Sequence, residues 1–507
     1  MRNARVHVIS KFRWIYLAPV LALIALMGWA LASPIGASPD DDYHLVSIWC
    51  GDGIRAGICE AGPTSGERTV PEAIKNSAVC YAHRPAVSAA CQESTFSLDP
   101  AHTEATSRGN FFGEYPPVYY AVMGVFVTPN IEGSVVLMRM LNALIFVALV
   151  SALFVLLPVE RRPGLIWTWL ITTIPLGLFL LSSNNPSAWA VMGVGTAWLA
   201  LLGYFESRGK RRIGLGVVFV LATILAAGSR GDAAVYVGLG IFVALVLAFK
   251  ADRRYLVSAI LPIAMGIVAL LFFLSAGQAG TGLQGFTNTP PAPGDAGAPA
   301  GPPDPLALVV ANLFNVPSLW AGVLGYWGLG WLDTRLPDVV TFGAIACFVG
   351  VVFVGLAVMW WRKAIVLALV GLSLWVIPAW VLTKGGNSVG QQLQPRYLLP
   401  LIVLFAGIAL LNLGARVIRL TLIQRVLVVG TLSITQMIAL YVNMRRYVQG
   451  DGGGGWNLDQ NPLWWWGIVV SPMFVLIISS AAFAVLAWIL VKRISTPAVA
   501  AASTVEG

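Results

Sequence analysis

The residues whose types could do chemistry lie in a polar segment, residues 33–120, that follows an apolar stretch near the N-terminus. The segment opens with Pro39-Asp-Asp-Asp-Tyr-His44 and closes with Glu114-Tyr-Pro-Pro-Val-Tyr-Tyr120. Asp40 and His44 are four residues apart, so one helical turn would put both side chains on one face. A carboxylate there suits a general base that takes the proton of a hydroxyl nucleophile. The alternative is a solvated acidic run that marks the end of a helix.

A second set of residues could hold a phosphate. Arginine binds phosphate through two parallel hydrogen bonds, so several converging cations would suit such a group. The candidates lie in or near short polar connections between apolar runs: Arg139, Arg230, Arg335, Lys384, Arg396, Arg445 and Arg446. The alternative is that these cations pair with Asp232, Asp333 or Asp338, or that they contact lipid headgroups.

The elements that must position these residues are membrane helices. Of the 507 residues, 57% are hydrophobic and only 11% are charged, which is typical of a multi-span membrane protein. The net charge of +9 is spread in short clusters between apolar runs, so it does not indicate a nucleic-acid partner. We expect an all-α protein of about twelve transmembrane helices, with spans near 15–33, 134–157, 163–182, 188–204, 213–229, 232–249, 255–275, 339–360, 364–383, 397–413, 425–443 and 467–491.

The charges of the connections predict the orientation of these helices. If the N-terminus is cytoplasmic, 20 of the 32 Lys and Arg residues but only four of the 23 acids lie on the cytoplasmic side. This asymmetry is the positive-inside pattern, and it places the acidic segment on the outer face. Ala30-Leu-Ala32 resembles a signal-peptide cleavage site, but the apolar run from Trp14 to Ala32 is longer than such peptides usually carry, which favours a retained helix.

Four of the five cysteines, Cys50, Cys59, Cys80 and Cys91, lie in the first outer loop, and Cys347 lies within a span. An even set of cysteines on an oxidising face predicts two disulfides. Three pairings are open, and the local one, Cys50 with Cys59 and Cys80 with Cys91, is the simplest.

The sequence predicts six parts along the chain. They are an N-terminal segment with the first helix (1–33), an outer loop with the acidic motif and a short interfacial helix (34–133), helices 2–7 (134–275), a flexible Pro/Gly-rich outer loop with an aromatic shelf (276–338), helices 8–12 (339–493) and a disordered tail (494–507).

No predicted span carries an ionisable residue near its middle, and Arg139 comes closest. Ion-coupled carriers usually place charges or broken helices at the membrane midplane, so this pattern argues against a secondary transporter. Two functions remain: an enzyme that works at the outer rim, or a non-enzymatic transporter or assembly partner for lipid-linked envelope glycans. A water-filled polar path through the spans would favour the second.

The chain resembles the GT-C superfamily of membrane glycosyltransferases in three features and in their order. These are Asp40-Asp41 after the first helix, Pro116-Pro117 with the apolar stretch behind it, and Arg139 in the next helix. It resembles still more a bacterial membrane-protein family designated a domain of unknown function and related to that superfamily.

That family has the patterns Pro-Asp-Glu-x-x-His and Pro-Pro-Leu-Tyr-Tyr, which are similar to Pro39–His44 and Pro116–Tyr120. Gly330–Thr334, Gln394–Pro400 and the Trp464 cluster are also similar to it. Asp41 stands where the family has Glu, and Tyr115 stands where it often has His.

The resemblance implies a GT-C-like fold and a glycosyltransferase of the bacterial plasma membrane that faces outward. The sugar would come from a polyprenyl-phosphate donor and pass to an envelope glycan or lipid acceptor. Asp40 would be the base, Asp41 would support it or hold a metal, and His44 would complete the catalytic set. No cofactor is certain, and a divalent cation is left open. The expected substrate-binding residues are Glu114, Tyr119, Arg139, Arg230, Asp232, Asp333, Arg335, Arg396 and Tyr397.

Overall fold

A computed structural model describes residues 14–96, 102–285, 304–411, 420–453 and 455–495. These residues are mostly helical. The helices are α1 (Ala18–Leu31), α2 (Asp41–Trp49), α3 (Glu72–Lys75), α4 (Glu93–Phe96), α5 (Val118–Gly124), α6 (Ile131–Leu156), α7 (Arg162–Thr172), α8 (Leu176–Leu181), α9 (Ser187–Glu206), α10 (Gly209–Ala227), α11 (Gly231–Ala248), α12 (Arg253–Ser275), α13 (Gln278–Gln284), α14 (Pro305–Val323), α15 (Asp338–Leu356), α16 (Trp361–Lys384), α17 (Leu399–Ala409), α18 (Leu422–Val448) and α19 (Pro472–Ser495).

Within the described residues, ten helices are long and apolar enough to cross a membrane. Nine of them coincide with spans predicted from the sequence, and these are Trp14–Leu31, Ile131–Leu156, Ser187–Glu206, Gly231–Ala248, Arg253–Ser275, Asp338–Leu356, Trp361–Lys384, Leu422–Val448 and Pro472–Ile494. The tenth is Pro305–Val323, which the sequence analysis did not predict. The fold is therefore the multi-span helical membrane protein that the composition indicated.

Three predicted spans take other forms. The span near 163–182 is two helices, α7 and α8, because Pro175 between them has no N–H to continue the first. The span near 213–229 is α10, which is 19 residues long but has Lys210, Arg211 and Arg212 in its first turn. The span near 397–413 is α17, an apolar helix of only 11 residues, too short to cross a bilayer alone.

The segment predicted as a flexible loop with an aromatic shelf, 276–338, contains two helices in the structure. Residues 286–303 lie outside the described part, but α13 and α14 occupy much of the remainder. Asn312 of α14 donates to the Asn387 carbonyl at 3.0 Å, and its side-chain oxygen accepts from the Val389 N–H at 3.0 Å. Helix α14 thus lies against the connection between α16 and α17. Its Asn312, Asn315 and Pro317 interrupt the apolar pattern, which is why the sequence did not reveal it.

Helix α9 is the centre of the bundle, since almost all of its side chains are buried. Gly195 lets a neighbour approach closely, because a Cβ built there would lie 2.6 Å from the Trp169 ring. The connection that enters α9 carries Asn185, whose side chain donates to the Pro39 carbonyl at 2.8 Å. The central helix is therefore tied directly to the segment that contains Asp40.

The loop between α1 and α6 folds over one end of the bundle, which we call the loop face. Two disulfides join Cys50 to Cys59 and Cys80 to Cys91, so the local pairing is the one present, and Cys347 is free and buried. The loop also holds a small antiparallel sheet that the sequence analysis did not predict: β1 (Glu60–Ala61), β2 (Arg68–Pro71) and β3 (Thr103–Thr106), in the order β1-β2-β3. In its register, Glu60 lies opposite Thr69, and Arg68 lies opposite Thr106.

Helix α5 is the short helix expected after the proline pair, and it begins directly after Pro117. Its residues Tyr119 and Tyr120 are buried. The Tyr119 N–H donates to the Gly228 carbonyl at 3.3 Å, so α5 packs on the connection between α10 and α11. The predicted disordered tail starts close to the end of α19, and residues 496–507 lie outside the described part.

Candidate functional site at the loop face

Asp40 occupies the N-cap position of α2 with a left-handed backbone, φ 58° and ψ 24°. Aspartate is one of the few non-glycine residues that adopt this conformation readily. The Asp40 carbonyl accepts the N–H groups of Tyr43 and His44 at 3.0 and 2.9 Å, which starts the helix. The reversed backbone at Asp40 separates its side chain from that of Asp41. The Asp40 side chain is 32% exposed, whereas Asp41 is fully buried.

The Asp40 carboxylate is hydrogen bonded to the guanidinium of Arg396. Its other oxygen lies 3.7 Å from a guanidinium nitrogen of Arg108. Burial by itself would raise the pKa of Asp40, but the guanidinium groups of Arg396 and Arg108 hold that pKa below its ordinary value. Asp40 is therefore an ionised carboxylate at neutral pH.

Arg396 and Arg230 meet at the ring of Tyr397. Their guanidinium carbons lie 4.8 and 4.5 Å from the ring centroid. Arg396 also donates to the Tyr397 hydroxyl at 2.9 Å and to the side-chain oxygen of Gln394. Arg230 makes a two-bond pair with Asp232 at 2.8 and 3.0 Å. The structure thus brings together four of the predicted substrate-binding residues beside the predicted base.

Both arginines are almost completely buried, and each has one nitrogen that no described protein group accepts from. These nitrogens are Nη1 of Arg230 and Nε of Arg396. A buried guanidinium N–H without an acceptor is costly, so these two nitrogens are available to donate to a group that binds beside them. The charge and geometry of the pair suit an oxyanion.

His44 lies beneath Asp40 among tyrosine rings. Its Nδ1 is 2.9 Å from the Tyr120 hydroxyl, and its Nε2 is buried without a partner among the described residues. Burial lowers the pKa of His44 well below its ordinary value, although Asp40 acts in the opposite direction. Tyr115, where the resembling family often has His, lies with its ring centroid 5.4 Å from that of His44. Burial raises the pKa of Tyr115 to about 12. Because the pKa of His44 is lowered, its imidazole is neutral at neutral pH.

Asp41 does not lie at the mouth with Asp40. One carboxylate oxygen accepts the Ser38 N–H at 3.0 Å, and the other is buried without a described partner. Burial raises the pKa of Asp41 to about 7, although Arg139 acts in the opposite direction. The sequence left open whether Asp41 holds a metal. Among the described residues, no group of three or more His, Cys, Asp or Glu side chains could hold one.

Glu114 lines the side of the site that faces the loop. It accepts from the Tyr43 hydroxyl at 3.2 Å, and Asn110 accepts from the same hydroxyl at 3.4 Å. Arg108, which is paired with Asp42, lies over the Tyr43 ring at 5.9 Å. The sequence analysis did not select Tyr43, Arg108 or Asn110. Tyr43 lies inside the acidic motif and could have been chosen, whereas nothing in their spacing marks Arg108 or Asn110.

The site residues from Asp40 to Tyr397 lie within one family match, which covers residues 23–405 and is described as a predicted membrane protein (DUF2142). The chain belongs to the DUF2142 family. No curated protein and no solved structure matches it. The DUF2142 match includes every residue of the Asp40–Arg396 site and ends before α18 and α19.

Arg139 of this DUF2142 protein is a predicted substrate-binding residue that the structure places elsewhere. Its guanidinium donates to the carbonyls of Ala30, Ser33 and Pro34 at 3.0, 2.6 and 2.7 Å. These carbonyls end α1 and begin the turn towards Asp40. Arg139 therefore fixes the chain that leads into the acidic motif. Tyr119 is also buried below the site, with its ring 5.2 Å from that of Trp189.

Asp333 and Arg335 of the DUF2142 protein are likewise not in the Asp40 site. Asp333 pairs with Arg446 at 2.9 Å and accepts the His83 N–H at 3.1 Å. The same arginine donates to the carbonyls of Tyr81 and Val87, in the segment closed by the second disulfide. Arg335 is exposed and makes no side-chain hydrogen bond or ion pair with the described residues. The alternative that these cations pair with Asp232, Asp333 or Asp338 holds for Arg446 with Asp333 and for Arg230 with Asp232.

Proposed function

We propose that this protein is an integral-membrane glycosyltransferase that transfers a sugar from a polyprenyl-phosphate donor to an envelope glycan or lipid acceptor. One observation carries the proposal. A partly exposed, ionised carboxylate, Asp40, contacts a buried arginine, Arg396, next to a second buried arginine, Arg230. A base for the acceptor and a binding site for the leaving phosphate thus lie side by side.

In this reaction, the acceptor hydroxyl oxygen bonds to the anomeric carbon while the bond from that carbon to the phosphate oxygen breaks. The hydroxyl proton passes to Asp40, and the phosphate leaves with the bonding electron pair. Arg396 and Arg230 stabilise the charge that develops on the phosphate, and their burial strengthens this interaction because water is excluded. His44 and Tyr120 form the buried side of the site beneath Asp40, and Glu114 and Tyr43 face the acceptor.

The proposed setting is the bacterial plasma membrane, with the N-terminus in the cytoplasm and the loop face outward. Two features support this orientation. Positive residues are concentrated in the connections on the opposite side of the predicted spans, and two disulfides lie in the loop, which is typical of an oxidising compartment. A lipid-linked donor in the outer leaflet would then reach Arg396 and Arg230 from the bilayer.

The proposal is tested by Asp40→Asn, with Asp52→Asn as its matched control. Asn adopts the left-handed backbone of residue 40 as readily as Asp does, so the variant should fold. Asp52 lies in the same loop, is 30% exposed and, among the described residues, forms an ion pair only with Arg55, at 3.7 Å. Each variant is introduced into a strain that lacks the protein, and the envelope glycans are analysed by mass spectrometry.

We expect Asp52→Asn to restore the missing glycan and Asp40→Asn to lower transfer by about 10²-fold or more, the usual cost of losing a general base. If Asp40→Asn inserts normally and restores the glycan fully, Asp40 is not the base. If the strain without the protein has unchanged envelope glycans, the transferase proposal itself fails.

A further inference from the structure

The three cations of the site are already matched by three carboxylates. Arg396 pairs with Asp40, Arg230 with Asp232, and Arg108 with Asp42. These pairs therefore leave no spare positive charge. A phosphoryl anion that bound beside them would add uncompensated negative charge in a partly buried place, which is unfavourable. One of the carboxylates must give way when such an anion binds.

The Asp40–Arg396 pair is the one that can open. Asp232 is two residues from Arg230, and the two make a bidentate pair at the start of α11, so that contact is local. Asp42 pairs with Arg108, whose side chain is 53% exposed and lies outside the buried arginine cluster. Asp40, by contrast, is partly exposed and already has Arg108 within 3.7 Å as a second cation. Losing Arg396 would leave it still partly neutralised.

Arg396 can donate further hydrogen bonds to an anion. It is only 2% exposed, and its Nε has no described acceptor. It shares the ring of Tyr397 with Arg230, whose buried Nη1 also has no described acceptor. An oxyanion that replaced the Asp40 carboxylate could accept from both arginines. It would thereby satisfy nitrogens that the carboxylate leaves without a partner.

We propose that the Asp40 carboxylate occupies an anion-binding site formed by Arg396 and Arg230 around Tyr397, and that a phosphoryl group displaces it. The inference rests on the proposed function only in placing a phosphoryl group at this site. It adds an order of events. Asp40 is bound to Arg396 until the phosphate arrives, and it is then released towards Arg108 to take a proton. The base becomes available only after the donor has bound.

Competition of this kind predicts an unusual result for Asp40→Asn: the variant binds phosphate more tightly than the wild type does. The neutral amide no longer competes for Arg396 and no longer repels the anion. We expect the affinity to rise by about fivefold, the upper end for a partly exposed ion pair. Asp52→Asn removes the same charge from the same loop at nearly the same exposure, so its affinity should stay within about twofold of wild type.

The experiment measures binding to the purified full-length protein in detergent by isothermal titration calorimetry. Two probes are used, inorganic phosphate and geranyl phosphate. Tighter binding of either probe to Asp40→Asn than to wild type and Asp52→Asn supports the exchange. A preference for geranyl phosphate identifies a lipid-linked anion, and equal affinity for both identifies a free one.

Unchanged or weaker binding to Asp40→Asn overturns the inference, provided that its thermal unfolding midpoint matches that of wild type. Arg396→Gln should lose binding of both probes, and retained binding would place the anion elsewhere. The two proposals can fail separately. If Asp40→Asn binds phosphate more tightly but still makes the glycan, the exchange stands and the role of Asp40 as the base does not. If Asp40→Asn binds phosphate as wild type does but makes no glycan, the reverse holds.

Discussion

Asp40 and Arg396 are hydrogen bonded to each other although they are 356 residues apart in the chain. Asp40 follows α1 and Arg396 precedes α17, so this one contact joins two connections on the loop face. Asn185, in a third connection, holds the Pro39 carbonyl. The candidate site therefore exists only in the folded bundle, and each of its motifs is uninformative alone.

The neighbouring carboxyls Asp40 and Asp41 should affect stability in opposite ways as the pH changes. Burial raises the pKa of Asp41 from its ordinary 3.8 to about 7, so between these pH values the folded state binds more protons than the unfolded state. The stability contributed by protonated Asp41 is complete below about pH 4 and is lost as the pH rises to about 7. Asp41→Asn is neutral at every pH. The unfolding temperature of this variant minus that of wild type should therefore be larger at pH 8 than at pH 5.

Asp40→Asn is the control for this measurement. The pKa of Asp40 is below its ordinary value because the nearby cations outweigh its burial, so its contribution to stability changes only below about pH 4. Its difference from wild type should be the same at pH 5 and pH 8. Thermal unfolding followed by tryptophan fluorescence reads both variants. If Asp41→Asn loses more stability at pH 8 than at pH 5, Asp41 is ionised in the folded protein and is paired with Arg139.

Much of the fold could be predicted from the sequence because its signals are local. Long apolar runs identified nine of the ten candidate spans, and the disulfides join cysteines only 9 and 11 residues apart. The contrast between Asp40 and Asp41 could not be predicted. It depends on a left-handed backbone at Asp40, and the sequence pattern of adjacent acids carries no sign of it.

The partners of the charged residues also could not be predicted from the sequence. Arg108 lies in the same loop as Asp42 but 66 residues away, and Arg446 reaches Asp333 across 113 residues. Charge alone allows many such pairs, and only the packing of the helices selects among them. Arg139 is a second example. Its position after the acidic motif predicted a substrate-binding residue, whereas its guanidinium bonds to backbone carbonyls.

The Asp333–Arg446 pair should be important for stability. Arg446→Met would leave the Asp333 carboxylate, which is 5% exposed, without its cation. Breaking a buried pair in this way costs about 3–5 kcal/mol, because an uncompensated charge remains. The double variant Arg446→Met/Asp333→Asn removes that charge and should recover much of the loss.

Both variants lose the bonds from Arg446 to the Tyr81 and Val87 carbonyls, so their difference isolates the charge of Asp333. Thermal unfolding in detergent measures it. A double variant no more stable than Arg446→Met would mean that those carbonyl bonds, and not the ion pair, hold the second disulfide segment to α18.

The cysteine pairing predicts a simple labelling pattern. Alkylation of the denatured but unreduced protein should modify Cys347 alone, and reduction should expose all five cysteines. A peptide map should show Cys50 joined to Cys59 and Cys80 joined to Cys91. Labelling of all five without reductant would remove the disulfides, and a peptide joining Cys50 to Cys80 would refute the local pairing.

The orientation of the bundle can be tested at the connections between its helices. Reporter fusions at Ser207, between α9 and α10, and at Ala251, between α11 and α12, should report the cytoplasm, because these connections carry clusters of Lys and Arg. A fusion at Asn184, between α8 and α9, should report the opposite side, since the neighbouring Asn185 contacts Pro39 on the loop face. A cytoplasmic signal from Asn184 would place the Asp40 site on the inner side of the membrane. A donor in the outer leaflet could then not reach Arg396, and the proposed use of such a donor would fail even if the phosphate site itself were real.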